Sequence, residues 1–201
     1  MDETILICGL TRCGSSLTMQ MLDKGGLPVI GDYPGYEPEQ ANPFNITQEY
    51  ITNNAGKIIK LIDPQHAYKR GIRFNNCRVV YLSRNKIQQA KSVIKFACTL
   101  MGIKPDYTPA TVYKMMLSLS VDEEKIFKAF RKNQKLLYTF EALLEDPVSY
   151  LSALEVFLNM DIDIRQALTV PVARNSDNYD GFLELSLLEA SHNKTQKKET
   201  A

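Results

Sequence analysis

Residues 5–17 read ILICGLTRCGSSL, and this stretch decides the fold. Its first four residues form a short apolar run that ends at a glycine, which is typical of a buried parallel strand. Apolar residues then recur with helical spacing at Leu17, Met21 and Leu22, until a pair of glycines ends the pattern. The sequence therefore predicts a strand, a glycine-containing turn and a helix in direct succession.

Three further apolar runs predict three more strands, at residues 57–62, 78–83 and 135–140. Helical patterns alternate with them, over residues 87–101, over residues 108–133 as one helix or two, and again after the last strand. Strands that alternate with helices favour a mainly parallel sheet covered by helices on both faces. We therefore expect an α/β fold with the three-layer architecture of the P-loop-containing nucleotide hydrolases.

The length of 201 residues suits a single domain, which we expect to cover residues 1–191. Residues 31–45 are rich in proline, glycine and acidic side chains and predict a loop, and residues 161–180 also have an irregular pattern. A last helix is predicted over residues 182–191. The polar residues 192–201 are expected to form a disordered tail.

Composition and charge argue against several classes of function. The formal net charge is +1, so the chain lacks the basic excess of a general nucleic-acid binder. No apolar stretch approaches the ~20 residues that span a bilayer, and the acidic first residues are unlike a secretory signal peptide. Four cysteines without a C-x-x-C pair and only two histidines give no zinc-site pattern. We expect a cytoplasmic protein without nucleic-acid, membrane or metal partners.

Residues 9–17, which we call the anion loop, carry the main functional pattern. Gly9 and Gly14 have the spacing of a nucleotide-triphosphate P-loop, G-x-x-x-x-G-K-[S/T]. Ser15 stands where that motif has its lysine, and the positive charge lies earlier, at Arg12. Backbone amides and hydroxyls at a helix N-terminus can still bind an anion, but the lysine that holds β- and γ-phosphates is missing. The loop favours a phosphate monoester or phosphosulfate over magnesium triphosphate, with a ligand-free turn as the alternative.

The anion loop resembles that of the sulfotransferases, a family whose donor is 3′-phosphoadenosine 5′-phosphosulfate. Arg12-x-Gly14-Ser15-Ser16-Leu17 is similar to the family's R/K-S-G-T-S/T-L loop, which binds the 5′-phosphosulfate. The family's second signature is a strand that ends in arginine, followed eight positions later by a helical serine, and these two residues hold the 3′-phosphate. Arg84 and Ser92 match it. A rise of ~1.5 Å per residue places Ser92 about two turns above Arg84, within reach of one shared phosphate.

A third similarity lies in residues 138–158, where YTFEALLEDP leads to Phe157-Leu158. This segment resembles the family's strand–E-x-L-x-x-x-P–helix–F-L segment, which is structural. The three blocks follow the family's order and together span residues 5–158. Within the family, the loop and the helix after it look most like bacterial members of unassigned substrate.

The resemblance implies a sulfotransferase that moves a sulfuryl group by in-line displacement to a hydroxyl or amine of a small-molecule or glycan acceptor. It implies 3′-phosphoadenosine 5′-phosphosulfate as co-substrate, with no metal. Nucleotide binding is assigned to Arg12, Cys13, Gly14, Ser15, Ser16, Leu17, Arg84 and Ser92. Catalytic assistance is assigned to Arg12 and to Lys60, whose strand is similar to the one before the family's active-site turn. A lysine that only extends its amine to solvent is the alternative for Lys60.

Two elements of the cytosolic family members are missing. Their K-T-H motif, which supplies a base, is absent because Leu61-Ile62 follows Lys60. Their C-terminal R-K-G element, which closes over the 3′-phosphate, is also absent, and Arg174 is a candidate substitute. Cys13 and Ser15 replace the usual serine and threonine, which are mild changes in a loop that acts through its backbone.

Four residues are candidates for the base that the reaction needs. Asp32 lies twenty positions after Arg12, near the Gly-Glu-Glu of the protein-tyrosine sulfotransferases, and Glu37 lies in the same loop. Asp63 and His66 follow the Lys60 strand, at the side of the sheet where α/β folds bind ligands. Each also has a structural explanation, as a solvated acid, a turn cap or a surface histidine.

Two other functions stay open. The first is a sulfotransferase-like protein that binds a nucleotide or a partner without catalysis, which the two missing elements favour. The second is a divergent P-loop nucleotide kinase, although the absent Gly-Lys-Ser/Thr counts against it.

Overall fold

A computed structural model describes residues 3–170 of the chain. These residues form a four-stranded, entirely parallel sheet in the order β2-β1-β3-β4. The strands are β1 (Thr4–Gly9), β2 (Ile58–Ile62), β3 (Cys77–Ser83) and β4 (Lys135–Thr139). The four predicted strands are confirmed, each within one residue at either end. The predicted helix at 182–191, the polar tail at 192–201 and Arg174 lie outside the described residues.

Helices connect and cover the strands. They are α1 (Ser15–Lys24), α2 (Gln48–Asn53), α3 (Gln65–Lys69), α4 (Lys86–Leu100), α5 (Pro109–Ala129), α6 (Phe140–Glu145), α7 (Pro147–Leu158) and α8 (Ile164–Ala167), with a 3-10 helix at Glu39–Ala41. The pattern over 108–133 forms one helix, α5. The 3-10 helix lies inside the predicted 31–45 loop, and α8 forms in a segment whose sequence pattern is irregular.

Side-chain caps explain where the long helices begin. Asn85, Thr108 and Asp146 each accept a hydrogen bond from a backbone amide in the first turn of α4, α5 and α7, respectively. Pro109 and Pro147 occupy the first position of α5 and α7, where a missing amide proton costs nothing.

Helices lie on both faces of the sheet and bury most of β1, β2 and β3, whereas the edge strand β4 is partly exposed. This arrangement confirms the predicted three-layer architecture. Leu6 and Cys8 point to the face covered by α2, α3, α4 and α5. Ile5 and Ile7 point to the opposite face, which α1, α6, α7 and α8 cover. Because successive residues of a strand alternate between faces, a strand buried on both sides needs apolar residues at consecutive positions, as β1 has from Ile5 to Cys8.

The strand order places a ligand crevice at the carboxyl end of β1. The chain leaves β1 to form β2 on one side of it, and then crosses to form β3 on the other side. Ligands of open α/β sheets bind at such reversals, outside the carboxyl ends of the strands. The segments that follow β1, β2 and β3 therefore meet at one place, and they carry Arg12, Asp63 and Arg84.

Among residues 3–170, no helix combines the length and the apolar character that a membrane crossing requires.

We predict that the α7 face toward the sheet contributes strongly to stability. Leu154 is fully buried, whereas Val156, two residues away on the same helix, is 83% exposed. Leu154→Ala should lower the free energy of unfolding by about 2–5 kcal/mol, because it leaves a cavity in a packed core. The matched change Val156→Ala should alter it by about 0.5 kcal/mol or less. Urea unfolding followed by circular dichroism measures both values, and equal losses would contradict the observed packing of α7.

Candidate active site

The anion loop makes a tight turn between β1 and α1. Arg12 has φ 65° and Gly14 has φ 98°, both in the left-handed region. Gly14 precedes the first residue of α1, so the amides of the first helical turn face the crevice. A side chain at Gly14 would also collide with the ring of Phe140. This position therefore needs glycine for its backbone angle and for the close approach of α6.

Cys13, Ser15 and Leu17 are buried beneath the loop. Cys13 packs against Gly9, where an added Cβ would lie 2.7 Å from its Sγ. Burial raises the pKa of the Cys13 thiol, so this thiol stays protonated near neutral pH. These three residues can meet a ligand mainly through their backbone, whereas the half-buried Ser16 carries its hydroxyl toward β2.

The structure brings together Arg12, Arg84 and Ser92, which the sequence assigned to two separate anion sites. Arg12 Nε donates to Ser92 Oγ at 3.0 Å. Arg84 Nη1 donates to the Arg12 carbonyl at 3.2 Å. The two guanidinium groups also stack on aromatic rings, at 5.2 Å from the Phe96 centroid for Arg12 and 4.8 Å from the Phe140 centroid for Arg84. The loop and the Arg/Ser pair are therefore parts of one site.

Two side chains hold the backbone of Thr11. Asp63 Oδ1 accepts from the Thr11 amide at 3.1 Å, and Gln89 Nε2 donates to the Thr11 carbonyl at 2.9 Å. Gln89 is buried in α4, and no motif in the sequence pointed to it. Its position three residues before Ser92 could have suggested it, because residues so spaced share one face of a helix.

Lys60 forms a second cluster at the carboxyl end of β2. Its side chain is buried, and Nζ donates to Ser16 Oγ at 2.7 Å and to the Gly35 carbonyl at 2.7 Å. Nζ also forms an ion pair with Glu37, whose side chain remains 60% exposed. A buried ammonium needs such partners, because an unpaired charge in the interior is costly. Lys60 therefore does not reach for solvent, and it links the 31–45 loop to the anion loop.

The other candidate bases have different surroundings. Asp32 is exposed and is not among the three groups that Lys60 contacts. Burial raises the pKa of Asp63, and the Thr11 amide and the nearby His66 partly oppose that rise. The His66 ring packs against Phe44, with 4.8 Å between centroids. Of the four, Glu37 is the carboxylate that touches Lys60.

Residues 3–170 contain no group of three or more histidine, cysteine or acidic side chains placed to hold a metal ion.

We predict that Gly14 is restricted by contact as well as by backbone angle. Gly26 is a matched control, because it also has a positive φ of 83° but no atom within 4 Å of an added Cβ. Gly26→Ala should lower the free energy of unfolding by roughly 1–2 kcal/mol through backbone strain alone. Gly14→Ala should lower it by about 1–3 kcal/mol more, because the ring of Phe140 must move. Urea unfolding of both variants gives the difference, and equal losses would show that the ring contact is unimportant.

Comparisons by sequence give no match, either to a protein-family model or to a curated protein. Comparisons of structure do give matches. Mouse sulfotransferase SULT7A1 complexed with PAP superposes with a TM-score of 0.57 at 14% identity, covering 86% of this chain and 64% of that one. Sulfotransferase STF1 from Mycobacterium tuberculosis superposes with a TM-score of 0.56 at 12% identity, covering 87% of this chain and 72% of that one.

A third match is retinol dehydratase in complex with androsterone and the inactive cofactor PAP, with a TM-score of 0.51 at 11% identity. It covers 89% of this chain and 66% of that one. The chain thus spans slightly less than two thirds of the mouse protein and of retinol dehydratase. At these identities the likeness concerns the fold, which both mammalian and bacterial sulfotransferases share. Residues 3–170 of this chain have the sulfotransferase fold.

Proposed function

We propose that this chain is a sulfotransferase that takes a sulfuryl group from 3′-phosphoadenosine 5′-phosphosulfate. The observation that carries the proposal is the 3.0 Å hydrogen bond between Arg12 and Ser92. It joins the anion loop to the remote Arg84/Ser92 pair, so that the 5′- and 3′-groups of one adenosine nucleotide can be held in one crevice. PAP, adenosine 3′,5′-bisphosphate, is the nucleotide left after sulfuryl transfer, and two of the matched structures contain it.

The residues present fit the chemistry of the transfer. An acceptor oxygen or nitrogen forms a bond to sulfur while the bond from sulfur to the phosphate oxygen breaks, and its electron pair stays on the departing bisphosphate. Negative charge thus grows on the leaving phosphate. The amides at the start of α1 and the ammonium of Lys60 can stabilise that charge, because both are fixed before the reaction begins.

Glu37 is our choice among the candidate bases. Its carboxylate touches Lys60 Nζ, so it lies close to the place where the sulfuryl group would bind. Its exposed side chain can also meet an acceptor that enters from solvent. In this proposal Glu37 takes the proton of the attacking hydroxyl or amine. Asp32 lacks the contact with Lys60, and the Asp63 carboxylate is engaged with Thr11.

The acceptor would enter beside Glu37. Residues that follow Glu37 in the sequence, Glu39, Gln40, Asn45, Thr47 and Tyr50, line a pocket of about 360 Å³. Each of the five lining residues carries a hydrogen-bonding group and one is aromatic, while most of the exposed lining surface is apolar, which suits a small acceptor with both hydroxyl groups and apolar surface. A small-molecule or glycan acceptor is therefore proposed.

Nucleotide binding tests the proposal against its alternatives. Isothermal titration calorimetry with adenosine 3′,5′-bisphosphate should give an affinity roughly tenfold or more above that for ATP with Mg²⁺, because the 3′-phosphate adds charge-assisted hydrogen bonds. A preference for ATP would favour the divergent nucleotide kinase. Tight bisphosphate binding without transfer of ³⁵S label from the donor to any of a panel of phenols, sterols and amino sugars would favour the non-catalytic nucleotide-binding protein.

We also predict a separable role for Glu37. Glu37→Gln keeps an oxygen that can accept from Lys60 but removes the proton acceptor, so the rate of sulfuryl transfer should fall by about 100- to 10,000-fold. The affinity for adenosine 3′,5′-bisphosphate should stay within about threefold, because Glu37 does not contact the anion loop. Initial rates of ³⁵S transfer and calorimetry measure the two effects. His66→Ala is the control. A large loss of transfer rate in His66→Ala, together with normal activity in Glu37→Gln, would instead assign the role of base to His66.

A further inference from the structure

In the proposed 3′-phosphate site, one negative charge of the phosphate still needs a positively charged partner. A phosphate monoester carries nearly two negative charges near neutral pH. Arg84 supplies one positive charge and Ser92 a hydroxyl, while the R-K-G element that closes this site in cytosolic sulfotransferases is absent from the sequence. A second cation at this place would complete the site.

The side chain of Arg12 lies along α4, the helix that carries Ser92. Its Nε donates to Ser92 Oγ at 3.0 Å, and its guanidinium carbon lies 5.2 Å from the centroid of the Phe96 ring. Ser92 and Phe96 are one helical turn apart on the same face of α4. A hydrogen bond at one end and a ring at the other therefore hold the guanidinium group against this helix.

The backbone around Arg12 is fixed in the orientation that this placement requires. Arg12 has φ 65°, a left-handed conformation that is unfavourable for a residue with a side chain and persists only where neighbours impose it. Gln89 donates to the carbonyl of Thr11, and Arg84 donates to the carbonyl of Arg12. Both donors come from α4 or from the residue that follows β3. These two hydrogen bonds fix the carbonyls of Thr11 and Arg12. The fixed backbone in turn sets the direction in which the Arg12 side chain leaves it.

The 5′-side of the crevice already has a cation of its own. Lys60 Nζ contacts Ser16 Oγ in the first turn of α1 at 2.7 Å. The ammonium group of Lys60 is therefore next to the amides that would hold the phosphosulfate, whereas the Arg12 guanidinium is next to the proposed partner of the 3′-phosphate. Lys60 would therefore lie at the 5′-end of the proposed nucleotide and Arg12 at its 3′-end.

We propose that Arg12 is the second cation of the 3′-phosphate site and determines specificity for nucleotides that carry a 3′-phosphate. The assignment rests on the proposed function and deepens it. It differs from the sequence-based expectation that Arg12 holds the phosphosulfate. It also explains how the site is completed without a C-terminal R-K-G element.

The test compares two probes that differ only in the 3′-phosphate, adenosine 3′,5′-bisphosphate and adenosine 5′-phosphate. Calorimetry on the full chain gives the ratio of their affinities. Arg12→Ala should lower the preference for the bisphosphate by roughly tenfold or more, because a charge-assisted hydrogen bond is lost. The affinity for the monophosphate should change by about threefold or less. Arg12→Lys should give an intermediate ratio, because lysine keeps the charge but not the planar fork.

Ser16→Ala is the matched control, because Ser16 lies at the opposite end of the crevice. It should lower the affinity for both nucleotides by the same factor and leave the ratio of the two affinities unchanged. Equal weakening of both nucleotides by Arg12→Ala would place Arg12 at the 5′-end and overturn the inference. A wild-type protein without preference for the bisphosphate would instead overturn the proposed function itself.

Circular dichroism and thermal melting verify that each variant is folded before its affinities are compared. Should Arg12→Ala fail to fold, Ser92→Ala takes its place, because it removes the hydroxyl that holds Arg12 against α4. An unchanged preference in a folded Ser92→Ala variant would then overturn the inference.

Discussion

The site depends on how the backbone of the anion loop is fixed at Thr11 and Arg12. The Thr11 amide is bound to Asp63 at the end of β2, and the Thr11 carbonyl to Gln89 on α4. The Arg12 carbonyl is bound to Arg84, directly after β3. The residues that make these contacts follow β2 and β3, the two strands that border β1. Together they fix the backbone conformation of the loop at Thr11 and Arg12. The direction of the Arg12 side chain and the start of α1 follow from that conformation.

Most of the fold could be predicted from the sequence, because the strands of a buried parallel sheet appear in the sequence as short apolar runs. The strands β1, β2 and β3 are rich in aliphatic residues, with Lys60 as an exception in β2 and Arg78 as one in β3, and the caps of α4, α5 and α7 are recognisable residue types at recognisable spacings. The short helices α2, α3 and α8 could not be predicted in this way. Each has four to six residues, too few for a helical period to repeat, and their positions are set by tertiary packing.

The site was predictable where residues act through local spacing. Arg84 and Ser92 lie on one strand–helix connection, and Gly14 belongs to a turn with a known spacing. The pairing of Lys60 with Glu37 joins residues 23 positions apart through an irregular loop, so nothing in the order of residues indicated it. The contact of Arg12 with Ser92 spans 80 positions. It depends on the left-handed backbone at Arg12, a conformation that an arginine does not suggest by itself.

In the proposed reaction, the Glu37 carboxylate would occupy the position beside Lys60 that a sulfuryl oxygen takes when the donor binds. Without a bound sulfuryl group, the glutamate pairs with the buried ammonium, so that this charge is not left without a partner. A sulfuryl oxygen arriving at Lys60 would displace the glutamate and leave it free to accept a proton. The bisphosphate product has no sulfuryl oxygen, so the ion pair between Lys60 and Glu37 would re-form once the sulfuryl group has been transferred. Readiness for proton transfer would thus be tied to a loaded donor, a form of substrate gating that needs no moving domain.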